Sequence, residues 1–256
     1  MRYIRLVKHL SNWWLHFAVK LGLTKKDPLI FRTRNDIIIE VPQRLMHEFK
    51  EIFMEESYTK GLAIKVPDRP IIVDMGANVG FFSLFAAFRF AGAKIFCYEP
   101  IGSNFKQLDR NKRLNENIQM SCFQKAVYGY SGEVAISYDP TDDFTTSASI
   151  FNQSDMQENT VQVPCVTLPD IFNEHQLEHV DLLKMDCEGS EYEILYNCPV
   201  NYLHRVDQMA MEVHGGTGAN QNIASLSDYL NSVDYNTHQY EDHMLWAWRR
   251  SLANET

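Results

Sequence analysis

Residues 71–83, IIVDMGANVGFFS, constrain the fold more than any other stretch of the chain. Ile71, Ile72 and Val73 make a short β-branched run of the kind found in strands covered on both faces. Gly76 and Gly80 bracket a tight turn, after which Phe81, Leu84, Phe85 and Phe88 recur at helical spacing. Glycine admits backbone angles closed to other residues and lets main chain approach a ligand with no Cβ in the way. Asp74, at the strand tip, offers a carboxylate to a cationic or hydroxyl-bearing ligand. The stretch therefore predicts a nucleotide cradle, with the ligand to be inferred from the rest of the sequence.

Downstream, strand-like and helix-like stretches alternate, the mark of a doubly wound, Rossmann-like α/β fold with a mostly parallel sheet. Strands are expected at 94–98, 118–123, 180–185, 208–213, 235–240 and 244–248. The last two lie too close together for a crossover, so the final pairing is antiparallel. A helix is predicted from about Ser103 as N-cap, with Phe105, Leu108 and Leu114 facing inward. Further helices follow at 168–175, beyond Gly189 and at 226–233. The alternation lapses at about 134–166, where 134–138, 148–151 and 161–166 predict an antiparallel β insertion around a polar loop at 139–147, a hairpin or lid. These elements make one domain over 67–256. Residues 27–66 form an N-terminal α/β cap: 29–33 and 37–41 flank the polar turn Arg34, Asn35, Asp36 as a hairpin, and Leu45, Met46, Phe49, Ile52, Phe53 and Tyr58 read as one side of a helix.

Charge narrows the partners. The net charge of −9 hides an asymmetry, because residues 1–26 hold six Lys and Arg and no acid. The remainder has 18 basic against 33 acidic residues, a body charge of −15. A duplex nucleic-acid binder needs a basic face, so nucleic acid is not an expected partner, whereas a cationic ligand suits the body. Within 1–26, Ile4, Val7, Leu10, Trp14, Phe17 and Leu21 fall at steps of three and four, predicting one basic amphipathic helix. Three roles fit it: peripheral contact with an anionic membrane, homodimerisation, or packing on the body, the last being the default for an amphipathic stripe. Five cysteines, an odd number with no C-x-x-C pair, read as reduced thiols of a cytoplasmic protein rather than disulfides or a zinc site. No stretch approaches the roughly 20 apolar residues of a membrane span, and a signal peptide is not expected.

In open α/β sheets the ligand sits beyond the carboxyl ends of the strands, and Asp74, Glu99, Asp186 and His214 each fall at such an end. A dinucleotide site expects G-x-G-x-x-G and an acid about 20 residues on. Glu99 lies 19 residues after Gly80, which fits. The glycines do not, since Asn78 stands at the second position, and an acid two residues before Gly76 suits an ammonium group better than a pyrophosphate.

The motifs D-M-G-A-N-V-G at 74–80, Y-E-P at 98–100, D-L-L-K-M-D-C-E-G-S-E at 181–191 and M-E-V-H at 211–214 resemble, in order and spacing, those of the FkbM family of S-adenosylmethionine-dependent methyltransferases, which have the class I methyltransferase fold. Cys187 stands where that family usually has an aliphatic residue, and Ser190 where it often has alanine. The resemblance implies S-adenosylmethionine as cofactor and S-adenosylhomocysteine as product. Asp74, Gly76, Asn78 and Gly80 would hold the methionine part, and Glu99, beside Pro100, the ribose hydroxyls. Gln124, Ala126 and Val127 would border the adenine, and Asp186 and Glu188 would lie near the methyl group and acceptor. It further implies O-methylation of a hydroxyl on a sugar, polyketide, lipid-linked or related small metabolite.

Each residue also has a plainer role. Gly76 and Gly80 serve a tight turn whether or not a ligand binds, Glu191 is a helix N-terminal acid, and His214 can cap a strand. The carboxylates of Asp186, Glu188 and Glu191 suit a hard cation, but the resemblance calls for no metal and none is expected. For the base that deprotonates the acceptor, His214 comes first because its ordinary pKa lies near neutrality, with Asp186 or Glu188 next. An NAD-dependent oxidoreductase shares the cradle and Glu99, and a non-catalytic docking module shares the fold and the N-terminal helix.

Overall fold

The computed structural model describes residues 2–137, 144, 149–150, 160–241 and 243–252. Two short helices, α1 (Arg2–His9) and α2 (Trp14–Lys20), precede a hairpin of β1 (Leu29–Arg32) and β2 (Ile38–Val41). Helix α3 (Met46–Lys50) continues as a π-helical turn, Glu51–Glu55. The sheet domain then runs β3 (Ile71–Met75), α4 (Phe81–Arg89), β4 (Lys94–Tyr98), α5 (Gly102–Arg113) and β5 (Gln119–Phe123). A second sheet follows from β6 (Ala126–Val127), β7 (Gly132–Ser137), β8 (Ser149–Ile150) and β9 (Thr160–Val166). The chain returns through α6 (Leu168–Glu174), β10 (Leu182–Met185), α7 (Glu191–Tyr196), α8 (Val200–Leu203) and β11 (Gln208–Glu212). It closes with α9 (Ile223–Ser232), β12 (Tyr235–Tyr240) and β13 (Met244–Arg249).

The seven-stranded sheet has the order β12-β13-β11-β10-β3-β4-β5, parallel except for β13, which is antiparallel to both neighbours. From β3 the chain builds outward to β4 and β5, then returns to lay β10 and β11 on the other side. The strand order therefore reverses between β3 and β10, which is where such sheets open a ligand crevice. The register sets that crevice: Met75 pairs with both Met185 and Tyr98, so Gly76, Asp186 and Glu99 emerge side by side on one rim.

The cap is welded to one face of this sheet. Phe31, Phe49 and Phe53 stack at centroid distances of 4.6 and 4.9 Å, and Phe53 meets Phe85 of α4 edge-on at 5.3 Å. All four rings are buried, and burying a side chain of this size contributes about 1.5–3 kcal/mol. Asn111 of α5 and Asn115 just beyond it add a polar seam. Asn115 Oδ1 accepts from Ile38 N at 2.7 Å and its Nδ2 donates to Ile38 O at 2.7 Å, while Asn111 Oδ1 accepts from Glu40 N at 2.8 Å. Asn111 Nδ2 also donates to Val79 O at 2.9 Å, joining the cap to the turn after β3.

Three expectations change. The N-terminal helix breaks in two because residues 10–12 pair with β1: Leu10 bridges Thr33, Ser11 N donates to Arg32 O, and Asn12 Oδ1 accepts from Arg32 N. The expected stripe splits with it, Leu10 going inside while Ile4, Val7, Trp14 and Leu21 face outward. Helix α5 is capped at Ile101 rather than Ser103, because Glu99 accepts the Ile101 N–H, and Leu114 is exposed. The 134–166 insertion is a largely antiparallel sheet, but most of its polar loop, including Thr145, Thr146 and Ser147, lies outside the described residues.

Candidate functional site

Two cavities adjoin at the rim. The first is lined by Gly76, Asn78, Glu99, Pro100, Asp186 and Ser190, with Ile101, Ala126, Val127 and Ile136 as its apolar wall. Gly76 is required there twice over: its φ is +70°, and an added Cβ would sit 1.8 Å from Asp186 O. Asn78, at φ 50°, turns its N–H onto Glu99 Oε2 at 2.8 Å, and Ile101 N donates to Glu99 Oε1 at 2.8 Å. Each carboxylate oxygen keeps a further lone pair for a hydroxyl. Burial nevertheless outweighs these bonds and pushes Glu99 up to about 7. The Ser190 hydroxyl is buried on the same wall with no hydrogen-bond partner among the described residues. A carboxylate at a strand tip, an apolar slot and an unsatisfied donor suit a nucleoside.

The second cavity, about 350 Å³, shares Gly76, Asn78, Asp186 and Glu188 with the first. Glu48, Ile52, Glu55 and Tyr58 of the cap roof it, Phe81 and Phe82 line it from α4, and Glu212, His214 and Tyr240 close the far side. The Tyr58 hydroxyl lies 2.8 Å from Asp186 Oδ2 and 3.0 Å from Glu212 Oε2. It has one proton for two carboxylates, and burial followed by these neighbours holds its pKa well above the ordinary tyrosine value.

Behind the rim lies a buried cation. Lys184 pairs across the strands with Asp74, Nζ to Oδ1 3.2 Å, reaches Asp186 at 3.7 Å and donates to Gly76 O at 2.7 Å. Burial lowers its pKa, but Asp74 and Asp186 more than compensate, so it stays charged with a pKa above the ordinary lysine value. Ser83 Oγ donates to Asp74 Oδ2 at 2.6 Å. Asp74 thus braces the turn from behind and faces neither cavity, a different place from the ligand contact its strand-tip position predicts.

The loop after β10 is wound by left-handed backbone at Glu188 (φ 52°) and Gly189 (φ 100°). Glu191 holds it, accepting from Cys187 N at 2.8 Å and Gly189 N at 2.9 Å. His214 then lies between two carboxylates, 3.5 Å from Glu188 and 3.6 Å from Glu191. Burial lowers the pKa of His214, but Glu191, Glu188 and Asp186 raise it more, to about 9. Burial lifts Glu188 to about 7 against the pull of His214. At neutral pH His214 is therefore an imidazolium and a poor base, whereas Glu188 titrates where a base is useful. Donor atoms of Asp186, Glu188 and His214 lie within 4.8 Å of one another, a spacing open to a cation, although the imidazolium already compensates the carboxylates.

Of the residues singled out from sequence, Glu99, Pro100, Ala126 and Val127 line the first cavity, His214 the second, and Gly76, Asn78, Asp186 and Glu188 both. Gly80 lies outside both, at the N-cap of α4 with φ 89°, where a Cβ would strike Leu108. Gln124 lines a separate surface hollow with Gly102 and Lys106. Tyr58, Lys184 and Glu212 join the site without having been singled out. Lys184 carried a signal, since a lysine inside an apolar parallel strand must find a partner.

Residues 74–245 match the methyltransferase FkbM domain. The chain belongs to the FkbM methyltransferase family. Methyltransferase sdnD of Sordaria araneosa is 26% identical over 205 residues, covering 70% of this chain and 78% of that protein. The 31-O-demethyl-FK506 methyltransferase FkbM of Streptomyces tacrolimicus is 25% identical, with the same coverage. Among solved structures, methyltransferase FkbM from Methylobacillus flagellatus superposes with a TM-score of 0.53 at 15% identity, over 80% of this chain but only 54% of that one. The fold is that of the class I methyltransferases, and this FkbM-family chain is an enzyme of methyl transfer.

Proposed function

We propose that this FkbM-family enzyme uses S-adenosylmethionine to methylate a hydroxyl of a small metabolite. The observation that carries this is the pair of adjoining cavities with a common rim at Gly76, Asn78, Asp186 and Glu188. Glu99 would hold the ribose hydroxyls, Ile101, Val127 and Ile136 the base, and the Gly76–Asn78 turn with Asp186 the amino-acid end. Bound there, S-adenosylmethionine supplies an electrophilic methyl group on a sulfonium. Methyl transfer needs alignment and exclusion of water, which the cap roof of Ile52 and Tyr58, with Phe82 of α4, favours. Glu188 takes the hydroxyl proton, and the His214 imidazolium, 3.5 Å away, stabilises the Glu188 carboxylate in its ionised form. A base poised near 7 supports an oxygen acceptor, as does a relative named as a 31-O-demethyl-FK506 methyltransferase. Five free cysteines favour a reducing, cytoplasmic setting.

Calorimetry against S-adenosylhomocysteine and NADH tests the donor: the first binds, and Glu99→Ala weakens it. NADH binding alone would return the site to the oxidoreductases. Mass spectrometry of a metabolite pool incubated with methyl-labelled S-adenosylmethionine then identifies the acceptor, and label on nitrogen or carbon rather than oxygen overturns the hydroxyl assignment.

A further inference from the structure

Six of the eleven exposed large hydrophobic side chains among the described residues fall within the first 23 positions: Tyr3, Ile4, Val7, Trp14, Leu21 and Leu23, at 36–75% exposure. Beside them a cavity of about 250 Å³ opens among Arg2, Tyr3, His16, Lys20, Met46 and Lys50. Three cations border it: Arg2, which also pairs with Glu55 at 3.4 Å, Lys50, and Lys20, whose Nζ lies 3.5 Å from the Tyr3 hydroxyl. His16 is only 6% exposed, yet its Nδ1 has no hydrogen-bond partner among the described residues. We propose that this face docks the protein on an anionic phospholipid bilayer, with a lipid phosphate held between the helices by Arg2, Lys20 and Lys50 and the exposed apolar side chains set into the interface.

The chemistry selects this occupant. A buried, unsatisfied imidazole nitrogen and three cations around an apolar hollow suit an anion on a greasy stem. Burial, then Lys50, Arg2 and Lys20, lower the His16 pKa, so their fields converge on the cavity. Tryptophan and leucine flanked by lysine are the residues that settle at a headgroup boundary. A second copy fits less well: Glu55 and Glu56 already pair with Arg2 and Arg5, which leaves a two-fold contact to set Lys20 and Lys50 against the same basic patch of its partner. Binding is peripheral, since no helix among the described residues is long and apolar enough to cross a membrane. The proposal stands independently of the methyl-transfer reading.

Cosedimentation of the full chain with vesicles tests it. The chain pellets with phosphatidylcholine–phosphatidylglycerol vesicles, not with phosphatidylcholine alone, and added salt releases it. Lys20→Glu with Lys50→Glu lowers the partition at least about tenfold, taking about fivefold per basic residue at an anionic surface. Trp14→Ser with Leu21→Ser, both exposed, also lowers it, while thermal unfolding matches the parent and shows the fold intact. Equal pelleting with neutral vesicles, or none with either, overturns the proposal. So does a dimer in sedimentation velocity that Trp14→Ser dissolves, or inorganic phosphate binding at the cations without vesicle binding, which would make the ligand free phosphate.

Discussion

Replacing Lys184 by methionine isolates what holds the site together. The ammonium is 3% exposed and lies 3.2 Å from Asp74 Oδ1, which is wholly buried and has no other polar partner among the described residues. Removing one member of a buried pair leaves the other charge uncompensated, at a cost of about 3–5 kcal/mol. The bond to Gly76 O at 2.7 Å is lost as well, adding roughly 1–3 kcal/mol if that carbonyl stays dry. For a chain of this size about 1 kcal/mol moves the melting temperature by ~2–4 °C, so Lys184→Met should lower it by roughly 10 °C or more. The second variant decides the cause. Asp74→Asn keeps the bond from Ser83 Oγ but removes the charge, so Lys184→Met with Asp74→Asn should recover more than half of the loss. Urea unfolding followed by circular dichroism reads both. A single-variant loss below about 1 kcal/mol, or strict additivity in the double variant, would refute the assignment of Lys184 as the counter-charge of Asp74.

Activity should follow a bell, with kcat rising through about pH 7 as Glu188 ionises and falling through about pH 9 as His214 deprotonates. Glu188→Gln removes the acid limb and lowers kcat by about 100- to 10,000-fold; an unchanged profile assigns the base elsewhere. Stability has its own pH dependence. Glu99 and Glu188, raised from 4.5 to about 7, contribute stability that is complete below pH 4.5 and lost by about 7. His214, raised from 6.5 to about 9, contributes stability complete below 6.5 and lost as pH passes 9, so the urea midpoint should decline over that window and flatten in His214→Gln. Gly76→Ala meets a positive φ and the Asp186 carbonyl together, and should lower the melting temperature and abolish S-adenosylhomocysteine binding in the same titration. Turnover should survive EDTA; loss restored by magnesium would assign the Asp186, Glu188 and His214 cluster to a cation.

The sequence reveals what is local and periodic. Strand, glycine turn and helix at 71–89 follow one another without long-range help, and strand ends mark a rim, so the place of Gly76, Glu99, Asp186 and His214 on that rim is legible in the sequence. What failed to show was which way a rim side chain turns. Asp74 sits at the strand tip, yet its Cα partner is Lys184, and two opposite charges facing each other on adjacent strands satisfy one another rather than a ligand. Tyr58 is 128 residues from Asp186, a distance no spacing rule spans. The N-terminal stripe misled because its periodicity assumes one unbroken helix. The pairing of 10–12 with β1 ends the helix through backbone bonds that side-chain pattern does not encode. The raised pKa of His214 likewise depends on Glu191, Glu188 and Asp186, which come together only on folding.

The asparagine seam has a consequence for how the turn after β3 communicates. Asn111 accepts from Glu40 N of the hairpin with one end of its amide and donates to Val79 O of the turn after β3 with the other. Opening the hairpin edge and loosening that turn are thus parts of one fluctuation. A molecule that orders the turn should slow amide exchange at Glu40, which lines neither cavity, making the hairpin a reporter of occupancy.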